Sequence, residues 1–172
     1  MPKDRYAIAT EQPNPHTRGL DRLSALQIAR KINAEDFNAA RAVKKASKPL
    51  AQAIRTATQA FMGGHKIIFM GAGTSGRLGV LEAAECVPTF GVKPTQIIGL
   101  IAGGKNAMFR AKEGAEDNAA LGAQDIRRQA RAHDFVIGLT ASGITPYVLG
   151  GLEAARQLGA RTALITCNEQ AD

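Results

Sequence analysis

Two stretches of the sequence combine hydroxyl side chains with glycine, a combination suited to holding a phosphate group. Residues 71–79 (GAGTSGRLG) contain Thr74, Ser75 and Gly76, and residues 140–146 (TASGITP) contain Ser142, Gly143 and Thr145. Hydroxyls donate to phosphate oxygens, together with backbone N–H groups at the start of a following helix. Ser and Thr are also ordinary helix caps. Two such loops at matching positions favour phosphate binding over capping, and we predict that these six residues bind the phosphate.

The glycines of the first loop also fit the Gly-x-Gly-x-x-Gly pattern of dinucleotide-binding proteins. A nicotinamide cofactor further needs a carboxylate at the end of the second strand, where it holds the ribose hydroxyls. The corresponding segment, residues 100–105 (LIAGGK), contains no acidic residue. The sequence therefore disfavours NAD as a cofactor.

Acidic residues form a second candidate group, because two carboxylates can divide the acid and base roles on one bound sugar. Glu82 and Glu85 lie three residues apart, on one face near the start of the helix predicted after the first loop. Glu113, Glu116 and Asp117 follow the second strand. Spacing alone favours solvated surface acids over catalytic ones.

Four short apolar runs must position these residues. They are residues 66–70, 96–101, 134–139 and 161–166. None shows the alternation of a half-exposed strand, and longer segments rich in Ala, Glu, Gln, Arg and Leu separate them. This pattern is typical of a parallel sheet covered by helices on both faces. We predict an α/β fold in which both hydroxyl loops lie at the carboxyl edge of the sheet, where such folds bind ligands.

The N-terminal part of the chain lacks such runs and reads as an irregular arm followed by helices. A short helix capped by Asp21, a second helix from about residue 35 and a third from Ser47 to residues 63–64 are predicted. We expect an N-terminal arm with helices at residues 1–62 and a phosphosugar-binding domain at residues 63–172. The fourth strand comes almost at the end of the sequence, so the chain looks like part of something longer.

Composition excludes several other functions. The chain has 172 residues, two cysteines and three histidines, and no ligand spacing predicts a metal site. Its net charge of +7 is spread over predicted helices and aromatic residues make up only 5%, which favours a solvated basic face over nucleic-acid binding. Without a run of about 18 apolar residues or a signal sequence, we expect no membrane contact and a cytoplasmic location.

Several motifs in a fixed order strongly resemble N-acetylmuramic acid 6-phosphate etherases, which have the sugar isomerase (SIS) fold. They are residues 71–79, 84–86 (AEC), 91–94 (GVKP), 99–104 (GLIAGG), 113–117 (EGAED) and 141–148 (ASGITPYV). The resemblance runs from Thr10 to Asn168. It implies a SIS-like, flavodoxin-like three-layer sandwich that is truncated, because members of the family continue with another strand and a helix.

The resemblance also implies an activity and the roles of particular residues. A lyase of this family removes the D-lactyl ether of N-acetylmuramic acid 6-phosphate without a cofactor, with Glu85 as general acid and Glu116 as general base. Ser75, Ser142 and Thr145 fall where the fold holds phosphate. Glu85 would have to keep its proton, which partial burial behind the first loop would favour. The resemblance further implies a homodimer, and a non-catalytic sugar-phosphate-binding or regulatory SIS module is the alternative.

Overall fold

The computed structural model describes residues 8–168, and the chain divides into two compact units, Met1–Ile54 and Arg55–Asp172. The domain boundary expected between the N-terminal helices and the phosphosugar-binding domain, at residues 62 and 63, stays a prediction. The outer ends of the two expected domains, residues 1–7 and 169–172, lie outside the described residues.

The described residues of the first unit are mostly helical, as the sequence predicts, but Asp21 does not cap a helix, because it lies inside the 3-10 helix Leu20–Arg22. Between residues 8 and 24, three short 3-10 turns precede helix α1 (Ala25–Lys45), and helix α2 (Ser47–Met62) begins in this unit. The side chain of Ser24 accepts a hydrogen bond from the N–H of Gln27, while the Ser24 N–H donates to the Gln27 side chain at 2.9 Å. This capping box starts α1 at Ala25. The predicted new helix near residue 35 is wrong, because α1 continues without a break to Lys45.

The second unit contains a four-stranded parallel sheet, which confirms the predicted α/β fold. Its strands are β1 (Ile67–Gly71), β2 (Ile97–Ile101), β3 (Phe135–Leu139) and β4 (Arg161–Ile165). Three helices connect them: α3 (Gly73–Phe90), α4 (Ala119–Gln129) and α5 (Pro146–Gln157). A 3-10 helix, Lys105–Met108, precedes α4. The strand order is β2-β1-β3-β4.

Helices cover both faces of the sheet, so the unit is a three-layer sandwich. Alternate residues of a strand point to opposite faces. Ile68, Met70 and Val136 belong to the buried core that also contains residues of α4 and α5. On the other face, α3 lies so close that a Cβ built at Gly79 would stand 2.9 Å from Cβ of Phe69.

The strand order reverses between β1 and β3, and this reversal defines the position of a ligand site. From β1 the chain passes to β2 on one side and then returns to β3 on the other side. Gly71, the last residue of β1, pairs with Leu139, the last residue of β3. Open parallel sheets bind ligands in the crevice outside the carboxyl ends of the strands at such a switch point. The two hydroxyl loops follow these two strands.

Candidate active site

The first hydroxyl loop is tight because its glycines bring backbone into contact with backbone. A Cβ at Gly76 would stand 2.6 Å from the carbonyl oxygen of Gly71 and 2.7 Å from Cγ1 of Ile101. Gly73 has φ of +54°, a left-handed conformation that favours glycine. Helix α3 therefore begins at Gly73, inside the predicted loop. Thr74 and Ser75 lie in its first turn, Thr74 exposed and Ser75 half-buried, while Gly76 is buried.

The first turn of α3 directs unused N–H groups toward the switch point. The N–H of Gly76 makes the first hydrogen bond of the helix, to the carbonyl oxygen of Ala72 at 3.2 Å. The N–H groups of Gly73, Thr74 and Ser75 precede it and have no intrahelical acceptor. The N-cap residue is Ala72, so no side chain caps the helix. Thr74 and Ser75 are thus beyond the capping position.

The second hydroxyl loop is organised around Thr140, the residue directly after β3. Its buried hydroxyl lies 2.7 Å from Oγ1 of Thr145 and 3.3 Å from Oγ of Ser142, and it accepts from the N–H of Gly143 at 3.3 Å. Asn168 donates to the Ser142 carbonyl oxygen at 3.0 Å and so ties the loop to the end of β4. These contacts bring the three predicted residues of this loop together.

Two residues of this network were missed by the sequence prediction. Thr140 begins the second hydroxyl loop but is not among the six predicted binding residues, although its place directly after a buried strand is a usable signal. Asn168 had no such signal, since its role comes from the neighbouring strand. Thr145 occupies the N-cap position of α5, but its side chain makes no capping hydrogen bond. Its hydroxyl contacts Thr140 instead.

Glu116 lies in the irregular segment between β2 and α4, where its residue is half-buried. The Tyr147 N–H donates to the Glu116 carbonyl oxygen at 2.9 Å. Tyr147 belongs to the first turn of α5, the helix that follows the second hydroxyl loop. This hydrogen bond therefore joins the Glu116 segment to the carboxyl edge of the sheet. Its donor, Tyr147, is only two residues from Thr145 in the sequence.

Glu85 does not lie near the start of its helix, and that expectation is wrong. Because α3 already begins at Gly73, Glu85 is its thirteenth residue. Gly79 packs over Phe69, in the middle of β1, and Glu85 follows six residues later, about 9 Å farther along the helix axis. Glu85 thus lies toward the amino ends of the strands, away from Glu116. It is also exposed, so the expected partial burial is not found.

Two other residues of α3 have structural roles. The Arg77 side chain donates to the Met108 carbonyl oxygen at 3.0 Å and so ties α3 to the 3-10 helix after β2. Burial raises the pKa of the Cys86 thiol, and the charge of Glu82 raises it further. The protonated form is a poor nucleophile, so Cys86 is better suited to packing than to catalysis.

Residues 8–168 contain neither a cluster of metal ligands nor a membrane-spanning helix. In this part of the chain no three His, Cys, Asp or Glu side chains are grouped so that they could hold a metal ion. No helix in the same range has both the length and the apolar character that crossing a bilayer requires.

Solved structures of low sequence identity share this fold. A phosphoheptose isomerase from Francisella tularensis matches with a TM-score of 0.60 and 19% identity, over 84% of this chain and 76% of that chain. A second phosphoheptose isomerase, from Neisseria gonorrhoeae, matches with a TM-score of 0.54 and 17% identity, over 81% of this chain and 75% of that chain. At these identities the likeness concerns the fold alone. The four-stranded sheet and its flanking helices thus share the fold of these two isomerases.

Sequence comparison identifies the family. The family described as glucokinase regulatory protein N-terminal SIS domain matches residues 49–156. An N-acetylmuramic acid 6-phosphate etherase from Listeria welshimeri is 50% identical over 96% of this chain and 56% of its own length. Another, from Enterobacter sp., is 52% identical over 94% of this chain and 55% of its own length. The chain therefore belongs to the SIS-domain family, and the resemblance to N-acetylmuramic acid 6-phosphate etherases is confirmed. The chain spans about half the length of these curated relatives.

Proposed function

We propose that this chain carries the phosphosugar site of an etherase that converts N-acetylmuramic acid 6-phosphate into N-acetylglucosamine 6-phosphate and D-lactate. One observation carries the proposal. The two hydroxyl loops follow the paired strands β1 and β3 at the switch point, and neither α3 nor α5 uses its hydroxyls as side-chain caps. The names of relatives at 50% and 52% identity supply the substrate. The phosphosugar-binding domain corresponds to residues 63–172 in this proposal.

The phosphate would be held by hydroxyls from both loops and by the first turn of α3. Ser75 and the N–H groups of that turn approach from β1, while Ser142 and Thr145 approach from β3. The positive end of the helix dipole favours the phosphate charge. Because the contacts are to the 6-phosphate, they fix the sugar without engaging its reacting carbons. A phosphorylated sugar does not cross a membrane unaided, so this substrate would be met in the cytoplasm.

The reaction is an elimination followed by a hydration, and it needs two carboxylates in opposite protonation states. In the open-chain sugar the aldehyde acidifies the C2 proton, which Glu116 removes. The electron pair forms a C2–C3 double bond as the C3–O bond to lactate breaks, and Glu85 donates its proton to the departing oxygen. Water then adds to C3, giving its proton to Glu85, and Glu116 returns its proton to C2. One water is consumed and no cofactor is required.

The position of Glu85 supports a homodimer whose site takes a residue from each chain. Within one chain Glu85 lies toward the opposite edge of the sheet from Glu116. It shares a face of α3 with Leu78 and Leu81, whose side chains are 53% and 51% exposed. A second copy packed on this face would cover these apolar side chains and receive Glu85 into its own site. Dimers with a twofold axis form two such sites at once.

The alternative function is a SIS module that binds a sugar phosphate without turning it over. The exposure of Glu85 favours this alternative, because binding of a phosphate by the two hydroxyl loops does not require that residue. The matching family is described by the name of a regulatory protein. Both functions share the phosphate site and differ only in the role of the carboxylates.

Release of D-lactate separates the two functions. The purified chain is incubated with N-acetylmuramic acid 6-phosphate, and D-lactate is measured enzymatically. We expect release by the wild-type chain and by Glu113→Gln, and a loss of at least 100-fold in Glu116→Gln, since general-base catalysis contributes about 10²–10⁴-fold. Glu113 is the matched control, because it is an exposed glutamate of the same segment. Calorimetric binding of N-acetylglucosamine 6-phosphate without lactate release would support the binding module.

A further inference from the structure

We infer that Tyr147 is a positioning residue for Glu116, acting through a hydrogen bond that its hydroxyl makes to Asp125. The inference rests on the proposed function, in which Glu116 removes the C2 proton. Tyr147 itself does not contact the sugar. It fixes the Glu116 segment relative to the second hydroxyl loop, so that the Glu116 carboxylate lies next to C2 when the 6-phosphate is bound.

Tyr147 makes two hydrogen bonds, one through its backbone N–H and one through its hydroxyl, and the first of them is to Glu116. Its backbone N–H donates to the Glu116 carbonyl oxygen at 2.9 Å, and its hydroxyl donates to Oδ2 of Asp125 on α4, also at 2.9 Å. The side chain is 0% exposed. Burial, and after it the hydrogen bond to Asp125, raises the pKa of the Tyr147 hydroxyl. The hydroxyl therefore stays protonated and remains a donor throughout the working range of an enzyme.

The packing of α4 against α5 makes this connection rigid. A Cβ at Gly122 of α4 would overlap the carbonyl oxygen of Tyr147, and a Cβ at Gly150 of α5 would overlap the carbonyl oxygen of Ala119. The two helices thus meet backbone to backbone near the start of both. Because α5 begins directly after Thr145, one rigid pair of helices carries both a phosphate-loop hydroxyl and the attachment of Glu116.

Removal of the Tyr147 hydroxyl should therefore displace the Glu116 carboxylate from C2 more than it weakens the binding of substrate. Tyr147→Phe keeps the ring and the N–H but loses the bond to Asp125. We expect kcat to fall about tenfold with KM within twofold of the wild-type value, since misplacement of a catalytic group acts on the chemical step. The deuterium isotope effect measured with substrate labelled at C2 should increase, because proton removal becomes slower relative to the other steps. Asp125→Ala should reproduce these changes.

Two variants separate positioning from a general loss of stability. Asp125→Asn keeps an oxygen that accepts from the Tyr147 hydroxyl, so it should restore kcat to within threefold of wild type. Asp134→Asn weakens another buried polar contact, at the amino ends of the strands, where the Asp134 carboxylate accepts from the N–H groups of Lys66 and Arg131 at 2.8 Å. It should lower Tm while leaving kcat and the isotope effect of the folded protein unchanged.

Hydrogen–deuterium exchange supplies a readout that does not depend on turnover. The amide at position 147 should exchange at least tenfold faster in Tyr147→Phe and Asp125→Ala than in wild type, and at the wild-type rate in Asp134→Asn. Unchanged protection of this amide in Tyr147→Phe would overturn the inference, as would an equal loss of kcat in Asp134→Asn. If wild-type chain releases no D-lactate, the proposed function fails, and exchange at position 147 still decides whether the hydroxyl anchors the Glu116 segment.

Discussion

At the scale of residues, the proposed phosphate site depends on hydroxyls that do not cap a helix. Thr145 stands at the N-cap of α5 yet makes no capping bond, and it lies 2.7 Å from the hydroxyl of Thr140. Thr74 and Ser75 lie past the N-cap of α3. A hydroxyl that does not cap a helix can donate a hydrogen bond to an anion. We therefore expect a phosphate at this edge of the sheet.

Ser75→Ala should weaken the binding of N-acetylglucosamine 6-phosphate about tenfold. A hydrogen bond to a charged group contributes about 1.5–3 kcal/mol, and about 1.4 kcal/mol corresponds to a factor of ten in affinity. Isothermal titration calorimetry measures the change. Thr89→Ala is the matched control, because Thr89 is an exposed hydroxyl residue on the same helix. Equal affinity in Ser75→Ala and wild type would remove Ser75 from the phosphate site.

At the scale of elements, the start of α3 is set by glycines that allow backbone contacts. Gly76 touches the end of β1 and the side chain of Ile101, and Gly99 of β2 faces Val80 of α3 so closely that a Cβ there would stand 2.5 Å from Cα of Val80. The helix therefore lies directly on both strands. This close approach brings the N–H groups of its first turn to the carboxyl edge of the sheet.

Gly76→Ala should destabilise the sheet unit by about 2 kcal/mol in urea unfolding. Alanine has the higher intrinsic helix propensity, which by itself would stabilise α3 by up to about 1 kcal/mol. The new Cβ, however, would stand 2.6 Å from a backbone oxygen that cannot rotate away, and overpacking costs about 1–3 kcal/mol. Ala84→Ser, on the exposed side of the same helix, should change stability by less than about 0.5 kcal/mol. A Gly76→Ala variant as stable as wild type would show that the contact is loose.

The sequence predicts the strands well because each buried parallel strand is a short apolar run, and the hydroxyl loops follow from their places after β1 and β3. It predicts helix starts less well. The glycine loop has the composition of a turn, and only the left-handed Gly73 and the contact of Gly76 with Gly71 allow its residues to form the first turn of α3. The misplaced start is the reason that Glu85 was expected near the carboxyl edge. Contacts between separate elements, such as Tyr147 with Asp125, leave no trace in local pattern.

At the scale of the whole molecule, the proposed chemistry needs more than one chain. The phosphate loops and Glu116 belong to the carboxyl edge of the sheet, whereas Glu85 lies on an exposed apolar face of α3, toward the other edge. In the described part of one chain, Glu85 therefore lies apart from Glu116. In the proposed dimer, the α3 face of one chain would face the site of the other, so that two chains together would supply both carboxylates.

Two inactive variants should restore each other's activity when they are mixed. In a dimer of Glu85→Gln with Glu116→Gln, one of the two sites receives both natural carboxylates and the other receives neither. Random exchange of subunits at equal concentrations makes about half of the dimers mixed, so D-lactate release should recover to about a quarter of the wild-type rate. Glu85→Gln mixed with the double variant Glu85→Gln/Glu116→Gln is the control and should stay inactive, because none of its chains supplies Glu85. If both carboxylates of a site came from one chain, no mixture of the two single variants would recover, and the shared site would be wrong even though each glutamate alone is required.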